Sequence, residues 1–306
     1  MSSLIEQAAQ RMEQLRQAGV DMPTSPPLAS AVDAVKKSAI EAQSIPLSRY
    51  VEIDLDALSA VGIVSPTAPR SQIADQFRVI KRPLISNAMG KSASVIVNGN
   101  LIMVTSALPG EGKSFTAINL AMSIATELDN TVLLVDADVA RPSVMKKLGL
   151  PDGQGLLDLV LDESTDMSSM LLKTNIDKLT ILPSGTPHAR ATELLASDAM
   201  IRLLDEMARR YKDRIVVFDS PPLLLTTEAR VLATHMGQVV VVVQAERTLQ
   251  SEVRHALATI EACPVKLMLL NQARAVSKGV YGYGGYNYGY GADMSSGKSG
   301  YPQHQF

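Results

Sequence analysis

The chain has 306 residues, 46% of them hydrophobic and 20% charged, with a formal net charge of -2. That length allows one large α/β domain with attached segments, or two domains, and the near-neutral charge gives no general surface for nucleic acid or membrane. The single cysteine, Cys263, excludes an internal disulfide, and the densest apolar stretch, Ile215–Leu225, is broken by Asp219, Pro221 and Pro222. Met1–Gly19 is charged throughout and lacks the apolar core of a secretion signal, so a soluble, cytoplasmic chain is expected.

Residues 1–18 place Leu4, Ile5, Ala8, Met12 and Leu15 at three- and four-residue steps, the pattern of an amphipathic helix. Alone it is too short to be stable, so its apolar stripe calls for a partner, either the main domain or another protein. Residues 19–69, with PTSPP near the start, read as a linker with little regular structure. The main domain is expected over 70–276, beginning with a helix from Arg70 to Lys81 that Pro83 then disturbs. Asp75, Arg78 and Lys81 lie three apart on that helix, either to meet charges on a neighbouring subunit or to form a solvated charged face.

Leu101–Ala121, LIMVTSALPGEGKSFTAINLA, reads as strand, phosphate-binding loop and helix, with Ala107–Ser114 in Walker A spacing. Backbone N–H groups at Gly110, Glu111 and Gly112 can turn inward around phosphate oxygens, helped by the start of the following helix. Lys113 supplies a full charge to the β and γ phosphates, and the Ser114 hydroxyl is placed to hold Mg²⁺. The expected nucleotide-binding run is Pro109, Gly110, Glu111, Gly112, Lys113, Ser114 and Phe115.

Further strands are expected near Thr131–Val135, Leu179–Leu182, Ile215–Phe218, Val239–Val243 and Val265–Leu270, with helices near Gly112–Glu127, Ala189–Tyr211 and Gln250–Ala262. Near-continuous apolar strands separated by helices mean a mostly parallel sheet covered on both faces, a P-loop NTPase of the α/β class. Ligands on such sheets bind beyond the strand C-termini. There the sequence puts Asp136 and Asp138 (TVLLVDAD) and, on a second strand, Asp219 (IVVFDSPP). Carboxylates two apart point the same way if the extended conformation persists through Ala137. Three of them beside Ser114 and phosphate oxygens suit a magnesium site with one Asp left over for the nucleophile.

The last segment, 277–306, is a Gly-rich tail holding Tyr281, Tyr283, Tyr286, Tyr288, Tyr290 and Tyr301. Without apolar periodicity it is not expected to pack. Composition alone makes it a sticky low-complexity segment; beside a phosphoryl-transfer site it becomes a substrate, since about ten extended residues reach roughly 35 Å.

The motifs PGEGKS, LLVDAD and VVFDSPP resemble Walker A, A′ and B of the bacterial tyrosine kinases, and the chain looks most like the exosortase-associated polysaccharide-biosynthesis tyrosine autokinases. The resemblance runs from about Gln76 to the C-terminus and includes QFRVIKRPL, LPSGTPHARATELLAS and LLNQ. It implies ATP and Mg²⁺ as cofactors, with Asp138 and Asp219 helping to hold the metal and Asp136 activating the tyrosine hydroxyl. Asn271 would contact the adenine. It also implies a ring-like homo-oligomer, a separate membrane polysaccharide co-polymerase-like adaptor that brings the kinase to the inner membrane face, and an opposing tyrosine phosphatase.

The sequence departs from the family pattern in places. Ala140 stands where the family usually has Arg, with Arg141 following. Asp75, Arg78 and Lys81 replace a Glu-x-x-Arg-x-x-Arg subunit contact, and Lys lacks the planar fork of Arg. Two other readings remain at this point: an ATPase switch of the partition type, against which Leu108 stands where those proteins carry an extra lysine, and a non-catalytic ATP-binding assembly regulator.

Overall fold

The computed structural model describes residues 49–66, 71–210 and 213–273. The amphipathic segment 1–18, most of the expected linker and the tyrosine tail lie outside the described residues. In chain order the first elements are β1 (Arg49–Val51), α1 (Leu55–Ala60), α2 (Gln72–Ala88), β2 (Leu101–Ser106), α3 (Lys113–Ala125), β3 (Thr131–Asp136), α4 (Val144–Lys147) and α5 (Leu156–Leu161). They are followed by β4 (Leu172–Thr174), β5 (Leu179–Leu182), α6 (Ala191–Leu195), α7 (Asp198–Arg210), β6 (Arg214–Asp219), α8 (Thr227–Ala233), β7 (Gln238–Gln244), α9 (Gln250–Ala258) and β8 (Val265–Asn271).

The strands form one sheet in the order β1-β4-β5-β3-β6-β2-β7-β8, parallel except between β4 and β5. Side-chain alternation sorts the central strands onto two cores. Ile102, Val104, Val132, Leu134, Val217 and Val240 pack with the α3 residues Ile118, Leu120 and Met122. Met103, Leu133, Val135, Phe218 and Val241 face the other way, against Met200, Leu204 and Met207 of α7. Both faces are covered, which is why these strands read as unbroken apolar runs.

Three expectations change. Residues 49–64, assigned from the sequence to a linker, contribute β1 and α1, and Val51, Ile53, Leu58, Ile63 and Val64 are buried in the α3-side core. The Asn175 side chain fixes this segment by accepting from the Ile53 N–H and donating to the Ile53 carbonyl, at 3.0 Å each. The helix expected over 189–211 is two helices, α6 and α7, with Ser197 between them donating to the Leu194 carbonyl.

The third change concerns α2, which continues through Pro83 to Ala88 because buried Phe77, Lys81 and Leu84 hold it on the core across that position. Three-residue spacing rotates by about −60° per step, so Lys81 lies roughly 120° around the helix from Asp75. Accordingly Asp75 and Arg78 are exposed and paired with each other, whereas Lys81 is 3% exposed and turned inward. Its ammonium donates to the Ser123 carbonyl and Thr126 Oγ1 and pairs with Glu127 at 2.6 Å, capping the C-terminal end of α3. Lys81 is therefore not available as the subunit contact expected from the sequence.

Candidate active site

The phosphate loop follows β2 and ends where α3 begins. Gly110 (φ 85°) and Gly112 (φ 97°) both take left-handed backbone, and only glycine does so without strain. Gly112 caps α3 without a side-chain hydrogen bond, so the first N–H groups of α3 face the loop with the positive end of the helix dipole behind them. This is the anion cradle expected from the Walker spacing.

Two polar side chains from the end of β8 grip the outside of the loop. Asn271 Nδ2 donates to the Glu111 carbonyl at 2.9 Å, and Gln272 Nε2 to the Gly110 carbonyl at 3.2 Å. A Cβ at Gly112 would stand 2.1 Å from Asn271 Nδ2, a second reason for glycine there. Phe115 lines a cavity of about 490 Å³ with Ile73, Phe77, Leu269 and Asn271. Pro109 lies on the opposite rim, in a cavity of about 420 Å³ with Leu108, Arg247 and Thr248. A larger, mainly apolar hollow of about 560 Å³ between α9 and β8 contains none of the expected site residues, so chemistry rather than volume locates the site.

Asp136 and Asp219 end β3 and β6 as register partners, both with no exposure. Asp136 Oδ2 accepts from the backbone N–H groups of Ser143 (3.0 Å) and Val144 (2.9 Å), while Oδ1 has no partner. Neither oxygen of Asp219 has one. Burial pushes the Asp136 carboxyl up to about 6, its two backbone donors pulling the other way. Burial likewise pushes Asp219 up to about 7, opposed by the Lys113 charge and reinforced by Asp136.

Asp138, two residues on, lies close enough to Asp136 to push its carboxyl further up. The strand stops at Asp136, so alternation no longer applies, and Asp138 Oδ2 pairs with Lys113 Nζ at 2.6 Å. Among the described residues no three acidic, histidine or cysteine side chains converge on one point. A magnesium ion does not need three, since it usually takes one or two carboxylates plus phosphate oxygens and water. The orphaned oxygens of Asp219, with the Ser114 hydroxyl close enough to pull its carboxyl down, fit such an ion. Ser143, which the sequence reading missed, donates its hydroxyl to Ser114 Oγ at 2.9 Å. Nothing in its local sequence marks it beyond its position after the second carboxylate.

The family model for the AAA domain matches residues 99–271, which spans β2 through β8. The tyrosine-protein kinase YwqD of Bacillus subtilis is 32% identical over 225 residues, covering 73% of this chain and 91% of that protein. The tyrosine-protein kinase ptk of Acinetobacter johnsonii is 32% identical over 182 residues, covering 59% of this chain but 24% of that longer protein. The crystal structure of the chimerical protein CapA2B2 superposes with a TM-score of 0.57 at 29% identity, covering 76% of this chain and 97% of that one. With the phosphate loop, the strand-end carboxylates and a relative matched over nearly its whole length, the chain belongs to the bacterial tyrosine-protein kinases and is itself a protein-tyrosine kinase.

Proposed function

We propose that this kinase transfers the γ-phosphoryl group of ATP to the tail tyrosines Tyr281, Tyr283, Tyr286, Tyr288, Tyr290 and Tyr301 of a neighbouring copy. The observation that carries the reading is the Lys113–Asp138 pair, poised at the phosphate loop beside the orphaned carboxylate of Asp219. Lys113 exchanges Asp138 for the β and γ phosphates, and Asp138 is then free to join Ser114 and Asp219 as the magnesium-holding set. The ion supplies neutralisation of charge on the phosphate oxygens. Backbone N–H groups of Gly110, Glu111 and Gly112 hold the same oxygens, and Asn271 with Phe115 faces the cavity proposed for the adenine.

A tyrosine hydroxyl, with a pKa near ~10, needs a base, and the base is assigned to Asp136. Its raised pKa brings it closer to working pH than an ordinary carboxylate. The proton leaves the phenol oxygen for the carboxylate as that oxygen bonds to phosphorus and the β–γ bridging oxygen departs with ADP. Leu108, where a partition-type ATPase would carry a lysine, is an uncharged side chain packed against the core, which disfavours a lysine-bridged dimer switch.

Each phosphate adds about −1.5 to −2 of charge. Unphosphorylated tails dock between subunits and favour a ring, and heavily phosphorylated tails release it by repulsion from one another and from the acidic site. The cycle is assigned to exopolysaccharide synthesis or export, with a separate membrane adaptor holding the kinase at the inner membrane face and a tyrosine phosphatase resetting the tail. No helix among the described residues is long and apolar enough to cross a membrane.

Mixing an active copy lacking residues 277–306 with a full-length Lys113→Met copy, then adding ATP and Mg²⁺, tests transfer between chains. Phosphotyrosine on the Lys113→Met copy is the expected result, and its absence contradicts transfer in trans. Equal assembly mass at zero and full phosphorylation contradicts the ring cycle.

A further inference from the structure

We propose that the Glu111 carboxylate is a latch that holds the phosphate loop in its binding shape, with the Thr248 hydroxyl as its receiver. Both are positioning residues for the triphosphate. The inference rests on the nucleotide reading above and assigns to the Glu111 side chain a role separate from that of its backbone N–H.

A glutamate in a phosphate loop is unfavourable on its face, because a second anion beside a triphosphate repels it. Here the side chain turns outward and is 2% exposed. Its Oε2 accepts from the Leu108 N–H at 2.6 Å, closing the loop on itself. Its Oε1 accepts from Thr248 Oγ1 and, at 3.4 Å, from the Gln244 N–H. The Thr248 hydroxyl accepts from that same Gln244 N–H at 3.2 Å, which leaves its proton to point at Glu111. Three donors converge on one acceptor-only group. The receiving turn has a fixed shape of its own, with Glu246 at φ 62° and the Ala245 N–H donating to the Asn271 carbonyl at 2.9 Å.

The consequence for phosphate follows from peptide planarity. The Gly110 and Glu111 carbonyls are drawn outward by Gln272 and Asn271. In trans peptides the next N–H points the opposite way, so the amides of Glu111 and Gly112 are aimed into the cradle. The side-chain latch pins Glu111 from the end of β7 and the turn after it, while Asn271 and Gln272 pin the Glu111 and Gly110 carbonyls from the end of β8. Without the latch the loop keeps its sequence but loses one of two restraints on where those amides point.

A glutamine at position 111 has the same shape but one donor end. Whichever way its amide is turned, an NH₂ meets either the Leu108 N–H or the Thr248 and Gln244 donors. The test uses the full-length protein and reads binding of a fluorescent ATP analogue with Mg²⁺, the KM for ATP, and the melting temperature. Glu111→Gln is expected to weaken analogue binding and raise KM by roughly tenfold or more. Thr248→Val is expected to do the same with little change in melting temperature, Thr248→Ser to restore wild-type binding, and the double variant to bind no worse than Glu111→Gln alone. Wild-type binding by both Glu111→Gln and Thr248→Val overturns the latch, as does a Thr248→Ser variant as weak as Thr248→Val. If the unaltered protein fails to bind the analogue, the nucleotide reading fails and the latch with it. Should Glu111→Gln not fold, the Thr248 pair alone decides.

Discussion

Asp136 and Asp219 face each other across adjacent strands with no solvent exposure, and three of their four carboxylate oxygens receive no hydrogen bond. Two such groups are stable in a folded protein only if protons or a cation neutralise them. Their carboxyls, pushed up to about 6 and about 7 from an ordinary 3.8, are proton-loaded in the nucleotide-free fold at mildly acid pH.

The sign of the pH effect follows. Between about pH 4 and 7 the folded state holds more protons than the unfolded one, so stability is greatest below that window and falls as pH rises through it. The nucleotide-free protein is expected to lose on the order of a few kcal/mol across that range. Thermal unfolding from pH 4.5 to 8 checks this, and Asp219→Asn is expected to flatten the profile. Magnesium affinity, which needs the charged carboxylates, is expected to rise over the same window.

Lys81 and Arg78 are expected to part company under mutation. Lys81→Met leaves the α3 carbonyl end and Glu127 without their buried donor and is expected to cost roughly 1–3 kcal/mol in a denaturant titration. Asp75→Ala and Arg78→Ala remove an exposed pair and are expected to change stability by less than about 0.5 kcal/mol. A fall in assembly mass for the Asp75 and Arg78 variants at unchanged stability would support their proposed place in a subunit contact.

Gly112→Ala and Gly110→Ala differ by what surrounds them. A methyl at 112 meets Asn271 Nδ2 and sits at φ 97°, whereas a methyl at 110 meets nothing within 4 Å and suffers only the backbone strain of φ 85°. Gly110→Ala is expected to cost about 1 kcal/mol, and Gly112→Ala more, with nucleotide binding abolished only in the latter. Melting curves with and without nucleotide separate the two.

Much of this was legible in the sequence because its signals are local. The apolar runs ending in Asp136 and Asp219, and the glycine spacing of the loop, each lie within a dozen residues. What was hidden acts over long separations. β1 and α1 are held by Asn175, far along the chain, and three-residue strands such as β1 and β4 carry too few side chains for a periodic signal. Lys81 looked like a surface charge because only the position of α3 shows it to be a cap. The pairing of Asp138 with Lys113 lies past the end of β3, where strand alternation gives no guide. Gln244, Thr248 and Gln272 meet the phosphate loop only because β7 runs beside β2 and β8 beside β7.

The most direct test of tail phosphorylation is to incubate the purified protein with ATP and Mg²⁺ and map phosphate by mass spectrometry, with Lys113→Met as the control. The expected result is phosphotyrosine confined to positions 281–301 and absent from the control. Release of inorganic phosphate with every tail tyrosine unmodified would contradict it.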